Sequence, residues 1–205
     1  MTVTLTAVTS VGLRERKKEK TRDALVQSAL KQFAKRGFDQ VTVEDIADAC
    51  DVSPRTFFRY FASKEEVLFA ESDGHRLRLL ASLADQDAEV SAFAALESGM
   101  RMVAAEYAEQ RDTIRIRHRI MTTTPSLSTR VAERQQGWES EVVEHLRASR
   151  RAKRMSDLDL RLLVASMTTA LRVAVELWLA TDAAPSDLES RLDAVFKRVQ
   201  DGFGR

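Results

Sequence analysis

The sequence predicts an all-α protein. Apolar residues recur at helical spacing in one segment after another. Seven glycines and three prolines leave long stretches uninterrupted, and no series of glycine-punctuated alternating strands appears. With 205 residues and 44% hydrophobic composition, the chain can bury one or two cores and belongs with folded sequences. About nine helices are expected: three in an N-terminal helix-turn-helix head, then a connecting helix and a C-terminal helical-bundle body.

Residues 1–13, rich in Thr and Val, are read as a disordered arm, 14–62 as the head, 63–84 as the connecting helix and 85–205 as the body. The first helix is expected from Glu15 to Arg36, with Leu25, Val26, Ala29, Leu30 and Phe33 inward, Gly37 ending it and Phe38 packing behind that end. Thr42 caps a second helix, in which Val43, Ile46, Ala47 and Cys50 recur at i, i+3, i+4, i+7. Asp51-Val52 breaks the period. Ser53 caps a third helix, with Pro54 at the first helical position. Its spacing predicts Pro54, Phe57, Phe58 and Phe61 inside, with Arg55, Thr56, Arg59 and Tyr60 outside. Ser63 with Glu66 forms a capping-box pattern for a fourth helix running to about Leu83.

The polar stretch Asp85–Glu89 precedes a fifth helix, about Val90–Gln110, with Phe93, Leu96, Met100, Val103 and Tyr107 on one side. The segment TIRIRHRI (113–120) alternates like a strand, but has no partner strand nearby. As a helix capped by Asp112 it puts Arg111, Arg115 and Arg119 in one row. Thr124 and Pro125 should open a seventh helix running to about Arg150, with Leu127, Val131, Trp138, Val142 and Leu146 inside. Ser156 caps an eighth, to about Thr181, with Leu160, Leu163, Val164, Met167, Leu171, Ala174 and Trp178 on a wide apolar face. A ninth runs from Ser186 to about Gly202 with Leu188, Leu192, Val195, Phe196 and Val199.

A short helix that is basic outside and packed inside, held by a partner helix, is what a DNA major groove admits. Charge supports this reading. The net charge is +1, yet residues 1–62 hold 11 Lys+Arg against 8 Asp+Glu, and the remainder 21 against 23. Residues 42–64, TVEDIADACDVSPRTFFRYFASK, resemble the helix-turn-helix of the TetR/AcrR family of bacterial transcriptional regulators. Gly37-Phe38, Thr42-Val43, Ile46-Ala47, Val52-Ser53, Thr56, Phe61, Ser63-Lys64 and Leu68 carry the resemblance, over about residues 18–69. Where the family often has glycine, tyrosine and histidine, this chain has Arg55, Phe58 and Tyr60.

Arg55 and Arg59 share the outward face, so they are expected in the groove, with Arg55 nearest the helix start and the base edges. Lys64 and the cluster Arg16, Lys17, Lys18 and Lys20 are expected on phosphates. The resemblance adds Thr42, Ser53, Thr56 and Tyr60 to the DNA-facing set, and implies a homodimer on a near-palindromic double-stranded operator.

Residues 98–181 resemble the C-terminal domain of the mycofactocin-regulator subclass, through the arginine-rich helix before Thr124–Leu127, Trp138-Glu139, and Asp157–Leu162 leading to Arg172 and Trp178. That resemblance implies an acyl-CoA-like effector. Met100, Tyr107, Met121, Trp138, Met167 and Trp178 are either ordinary core or the wall of an apolar tunnel. Arg111, Arg115, Arg117 and Arg119 are either a solvated face or phosphate ligands at its mouth, with Arg172 implied nearby. The breadth of apolar surface on the eighth and ninth helices puts the dimer interface there, through Leu163, Leu171, Val175, Leu192, Phe196 and Val199.

Cys50 is the sole cysteine, on an apolar face, so no intrachain disulfide forms and it reads as a small buried hydrophobe. No basic n-region with a long apolar core opens the chain, and the longest apolar element, Leu158–Thr181, carries Arg161, Arg172 and Glu176. A cytoplasmic protein without a membrane partner is expected. His75, His118 and His145 are scattered and read as surface or helix-end residues. No phosphate loop, dinucleotide fingerprint or nucleophile elbow occurs, so neither a catalytic site nor a cofactor is expected. A ligand-responsive repressor is the function these readings favour. The rivals are an activator or ligand-independent regulator of the same fold, and a helical-bundle enzyme or carrier.

Overall fold

The computed structural model describes residues 12–202 except 88, 154, 182, 183 and 185, and among these it contains helices and no strand. The expected arm lies almost wholly outside the described residues. The helices are α1 (Leu13–Arg36), α2 (Val43–Asp48), α3 (Pro54–Phe58), α4 (Glu66–Asp85), α5 (Ala92–Glu109), α6 (Arg111–Thr123), α7 (Ser128–Ala148), α8 (Asp157–Leu179) and α9 (Ser186–Asp201), with single 3₁₀ turns at Pro125–Leu127 and Arg150–Ala152. The chain divides into two compact units, Met1–Leu68 and Phe69–Arg205, so the division falls inside α4.

In the first unit, Leu25, Val26, Ala29, Leu30 and Phe33 of α1 are buried with Phe38, Val41, Ile46, Ala47, Phe57 and Phe61. The α2 start is a complete capping box: Asp45 N–H donates to Thr42 Oγ1 at 3.1 Å, and Thr42 N–H donates to Asp45 Oδ2 at 2.9 Å. Asp51 takes a positive φ of 54° in the turn before α3, a conformation that Asp tolerates better than most residues. Ser53 caps α3 by accepting from Thr56 N–H at 3.1 Å.

Four local expectations need correction. Phe58 is not on the inner face; it is 54% exposed, because the five-residue α3 turns only Phe57 fully inward. Ser63 does not cap the fourth helix, which starts at Glu66, and its buried Oγ has no hydrogen-bond partner. Neither Asp112 nor Thr124 serves as a side-chain cap. Arg111 already lies inside α6, and Pro125 opens a 3₁₀ turn before α7 begins at Ser128. The strand-like segment 113–120 is helical, as the missing partner strand required.

The second unit is organised around α8. Leu160, Val164, Met167, Ala170, Leu171, Ala174 and Trp178 are buried, and α5, α7 and α9 pack on the helix. Among the described residues α8 is also the one helix long and apolar enough to cross a membrane, and half of that stretch is buried in this core. Leu188, Leu192 and Phe196 of α9 and Leu96, Met100 and Val103 of α5 join the same cluster.

Gly99 is buried in α5, and a Cβ there would stand inside van der Waals distance of Leu79 Cδ1. Gly99→Ala gains about 1 kcal/mol of helix propensity and loses about 1–3 kcal/mol through overpacking, since Leu79 is itself fully buried. A net loss of stability is expected in chemical denaturation, larger for Gly99→Val; a stabilised Gly99→Ala would show that Leu79 has room to turn away.

Candidate DNA-binding and effector sites

The head braces a small surface. Phe57 packs under α3 with its ring 5.5 Å from Phe61, and Arg55, Phe58 and Arg59 are exposed on the outside. Arg59 stands over the Tyr60 ring at 5.2 Å, and its Nη2 donates to the Tyr60 hydroxyl at 3.5 Å. This stacking orders the guanidinium without removing it from solvent. Thr42, Ser53 and Thr56 are engaged in the two helix caps, with Ser53 Oγ and Thr56 Oγ1 3.0 Å apart. Arg16, Lys17, Lys18 and Lys20 are all exposed on the first turns of α1, with Lys18 3.8 Å from Glu15.

Lys64, expected on a phosphate, is engaged within the head. Its ammonium donates to the carbonyls of Phe38 and Val41, each at 3.0 Å, and lies 4.5 Å from the Phe38 ring centre. It closes the turn between α1 and α2. On the other side of that turn, Gln32 Nε2 donates to the Asp45 carbonyl at 3.0 Å and Arg36 pairs with the Asp45 carboxylate at 3.1 Å. The Arg36 hydrogen bond, with the Thr42 N–H, draws the Asp45 pKa down to about 2. The thiol of half-buried Cys50 donates to the Ala24 carbonyl at 3.5 Å.

In the body the arginines of α6 divide by direction. Arg111 lies 4.9 Å over the Trp178 ring and donates to the Trp178 carbonyl at 3.3 Å and to the Thr181 carbonyl. Arg115 donates to the Thr181 carbonyl at 3.1 Å. Together they satisfy carbonyls at the C-terminal end of α8, where cations are favoured. Arg115 and Arg119 also line a cleft of about 500 Å³ with His118, Thr122, Glu176, Leu179, Ala180 and Thr181. Arg172 does not line the cleft; it pairs with Glu176, which does, at 2.8 Å. Burial pushes the His118 pKa down, with nearby Glu176 opposing.

Arg117 faces the other way and is buried at 4% exposure, donating from Nη1 to Glu71 of α4 at 2.6 Å. His75, one turn after Glu71, is 3% exposed, 3.2 Å from Glu106 through Nε2 and 4.7 Å from the Tyr107 ring. Arg117, expected on a solvated face or at a phosphate-binding mouth, and His75, expected at the surface or a helix end, both lie inside. Burial lowers the His75 pKa and raises that of Tyr107 to about 12, so both are neutral near pH 7.

Of the remaining expected ligand residues, Met100, Met167 and Trp178 are fully buried in the core and do not line the cleft. Trp178 Nε1 donates to the Ala184 carbonyl at 3.0 Å. Met121 and Trp138 are half-buried. The residues expected at a dimer interface differ in burial within this one chain. Leu171, Val175, Leu192 and Phe196 are buried within this one chain, which leaves only Leu163 and Val199 of that set partly exposed. A charge at Phe196 would therefore disrupt the body's own core.

Comparison with known proteins matches residues 25–70 to the family of bacterial regulatory proteins, tetR family, and residues 90–204 to the MftR C-terminal domain. The chain is 32% identical to the HTH-type transcriptional regulator TcmR of Streptomyces glaucescens, over 94% of this chain and 86% of that protein. It is 29% identical to the mycofactocin biosynthesis transcriptional regulator MftR of Mycobacterium tuberculosis, over 93% and 94%. Its fold resembles that of Thermus thermophilus FadR, a transcriptional repressor solved with lauroyl-CoA, at 22% identity and a TM-score of 0.58 over 90% of this chain and 95% of that one.

Asp45 makes the head acid-sensitive in a defined window. Its folded pKa lies below the 3.8 of an unperturbed Asp, so its contribution is fully present above about pH 4 and is lost as pH falls toward 2. Melts of the head signal between pH 5 and 2.5 should show this loss, and Asp45→Asn should flatten that part of the profile. An unchanged profile in the variant would assign the acid sensitivity to other carboxylates.

Proposed function

This chain belongs to the TetR family of bacterial transcriptional regulators, and we propose that it works as a homodimeric repressor released from its operator by an acyl-CoA-like effector. The observation that carries the DNA-binding half is the outer face of α3, where Arg55, Phe58 and Arg59 stand exposed on a helix fixed by Phe57 and the Ser53 cap. Arg55 lies next to the helix start, so it suits bidentate donation to a guanine edge. Arg16, Lys17, Lys18 and Lys20 supply sequence-independent phosphate contacts.

For the dimer, the outward side of α8 supports an interface. Leu158, Leu162 and Leu177 are 73%, 61% and 50% exposed, and Ala165, Ser166, Thr169 and Val173 fill the stripe between them. Small and apolar residues along a solvent-facing helix suit a self-complementary two-fold contact. Such a dimer holds two reading helices about 34–36 Å apart, one turn of DNA. For the effector, the arginines of the α6–α8 cleft are suited to phosphate groups. A ligand preferring a body with another spacing lowers operator affinity by a coupling free energy of about 1–3 kcal/mol.

Binding of the purified protein to DNA upstream of its own gene, with and without lauroyl-CoA, tests the whole reading. Retarded DNA released by micromolar ligand is expected; binding that lauroyl-CoA leaves unchanged would remove the effector half. Arg55→Ala should cost about 1–3 kcal/mol on the operator and relax one position per half-site. Equal losses on operator and random DNA would reduce Arg55 to a phosphate contact.

Leu162→Asp should give a folded monomer by light scattering and lose operator affinity, since one half-site alone forfeits the bivalent gain. A folded dimer with undiminished affinity would move the interface away from this stripe.

A further inference from the structure

The polar cluster between α4, α5 and α6 is built from two carboxylates and two guanidiniums. Glu71 takes Arg117 Nη1 at 2.6 Å, and Glu106 takes Arg78 Nε at 2.7 Å and faces His75 Nε2 at 3.2 Å. Charge is thus balanced among them. Hydrogen bonding is not. Arg117 Nε and Nη2 are buried and have no acceptor. These two N–H groups form one lateral edge of the guanidinium and point in parallel. His75 Nδ1 is likewise buried without a partner. With its proton on Nε2, 3.2 Å from Glu106, the ring leaves Nδ1 as a bare acceptor. Buried groups left this way are costly, and a native site that tolerates them calls for an explanation.

The unmet groups define what would satisfy them. The Arg117 edge asks for an acceptor oxygen, and His75 Nδ1 asks for an O–H or N–H. An added charge would be unbalanced in a cluster already neutral, and buried unpaired charge is strongly disfavoured. We propose that Arg117 and His75 form a buried effector subsite for a neutral group that carries an acceptor oxygen beside a donor hydrogen, such as a carboxamide or a hydroxy-carbonyl. This rests on the reading of the body as an effector domain, and it adds a head-group chemistry distinct from the phosphates suited to the cleft. Because Glu71 and His75 both belong to α4, a ligand held here acts directly on the helix inside which the two units divide.

Calorimetry on the full-length protein at pH 7 tests this with decanamide as a chain-borne probe, salicylamide as a ring-borne probe and decanoate as a charged control. At least one neutral probe should bind about tenfold or more tighter than decanoate. Arg117→Lys keeps a cation for Glu71 but removes the lateral edge, and should weaken that probe about tenfold to a hundredfold. Should this variant fail to fold, His75→Leu must show a comparable loss, since it leaves Glu106 paired with Arg78. The proposal is overturned if neither neutral probe binds the natural protein at about 1 mM, if decanoate binds as tightly, or if a folded variant binds unchanged. Operator release by lauroyl-CoA, measured on the same preparations, reports separately on the effector reading: its absence in the natural protein sinks that reading, whatever the amide probes do.

Discussion

The body depends on how α8 ends. A 23-residue helix with a buried apolar face is easily placed in a core, but its last carbonyls must be satisfied where the chain turns back toward α9. Here two arginines of α6 do this. Arg111 and Arg115 reach the Trp178 and Thr181 carbonyls, and Arg111 also covers the Trp178 ring. Trp178 in turn reaches past the turn to the Ala184 carbonyl. Fixing α6 against the end of α8 leaves Arg119 and His118 facing Glu176 across a cleft, so the cationic lining follows from a capping requirement as much as from any ligand.

The same helix produces the opposite environment on its other side. Residues 114, 117 and 120 of α6 point inward at helical spacing: Ile114 and Ile120 are apolar, and Arg117 stands between them. An arginine so placed needs a carboxylate, and α4 provides the partly buried Glu71. Next to it α4 and α5 bury His75 against Glu106 and Tyr107. A core made only of hydrophobic residues at these positions would avoid the desolvation cost. Retaining a balanced but incompletely hydrogen-bonded cluster lowers stability locally.

Much of the fold was legible because helix signals are local. The Thr42, Ser53 and Ser156 caps, the Gly37 stop and the inward stripe of α1 all depend on residues within one or two turns of each other. The helical state of segment 113–120 was legible only by elimination, since its alternation favours a strand and only the lack of a partner opposes it. His75 could have been read correctly. Leu68, Glu71, His75, Leu79 and Leu83 are spaced 3, 4, 4 and 4 apart, one face of α4, and the leucines mark that face as buried. Register, not residue type, marks this histidine as buried. Lys64 was illegible for a different reason: its acceptors are backbone carbonyls of Phe38 and Val41, more than 20 residues away, and carbonyls leave no mark in a sequence.

The breadth of the apolar face on α8 shows where periodicity stops being informative. A helix apolar over most of its circumference must be covered on two sides, but the pattern does not say which side faces its own chain. In α8 the larger residues, Leu160, Met167, Leu171 and Trp178, are covered by α5, α7 and α9. The stripe left outside mixes leucines with Ala165, Ser166 and Thr169, and it would rank lower on any hydrophobicity count. That ranking follows from packing. A chain's own core is filled first by its bulkiest side chains, whereas helices meeting across a two-fold axis approach closest where residues are small. On helices like α8, the bulkiest apolar residues are engaged by the chain's own core, and the moderately apolar stripe still exposed after folding is the surface left for a further contact.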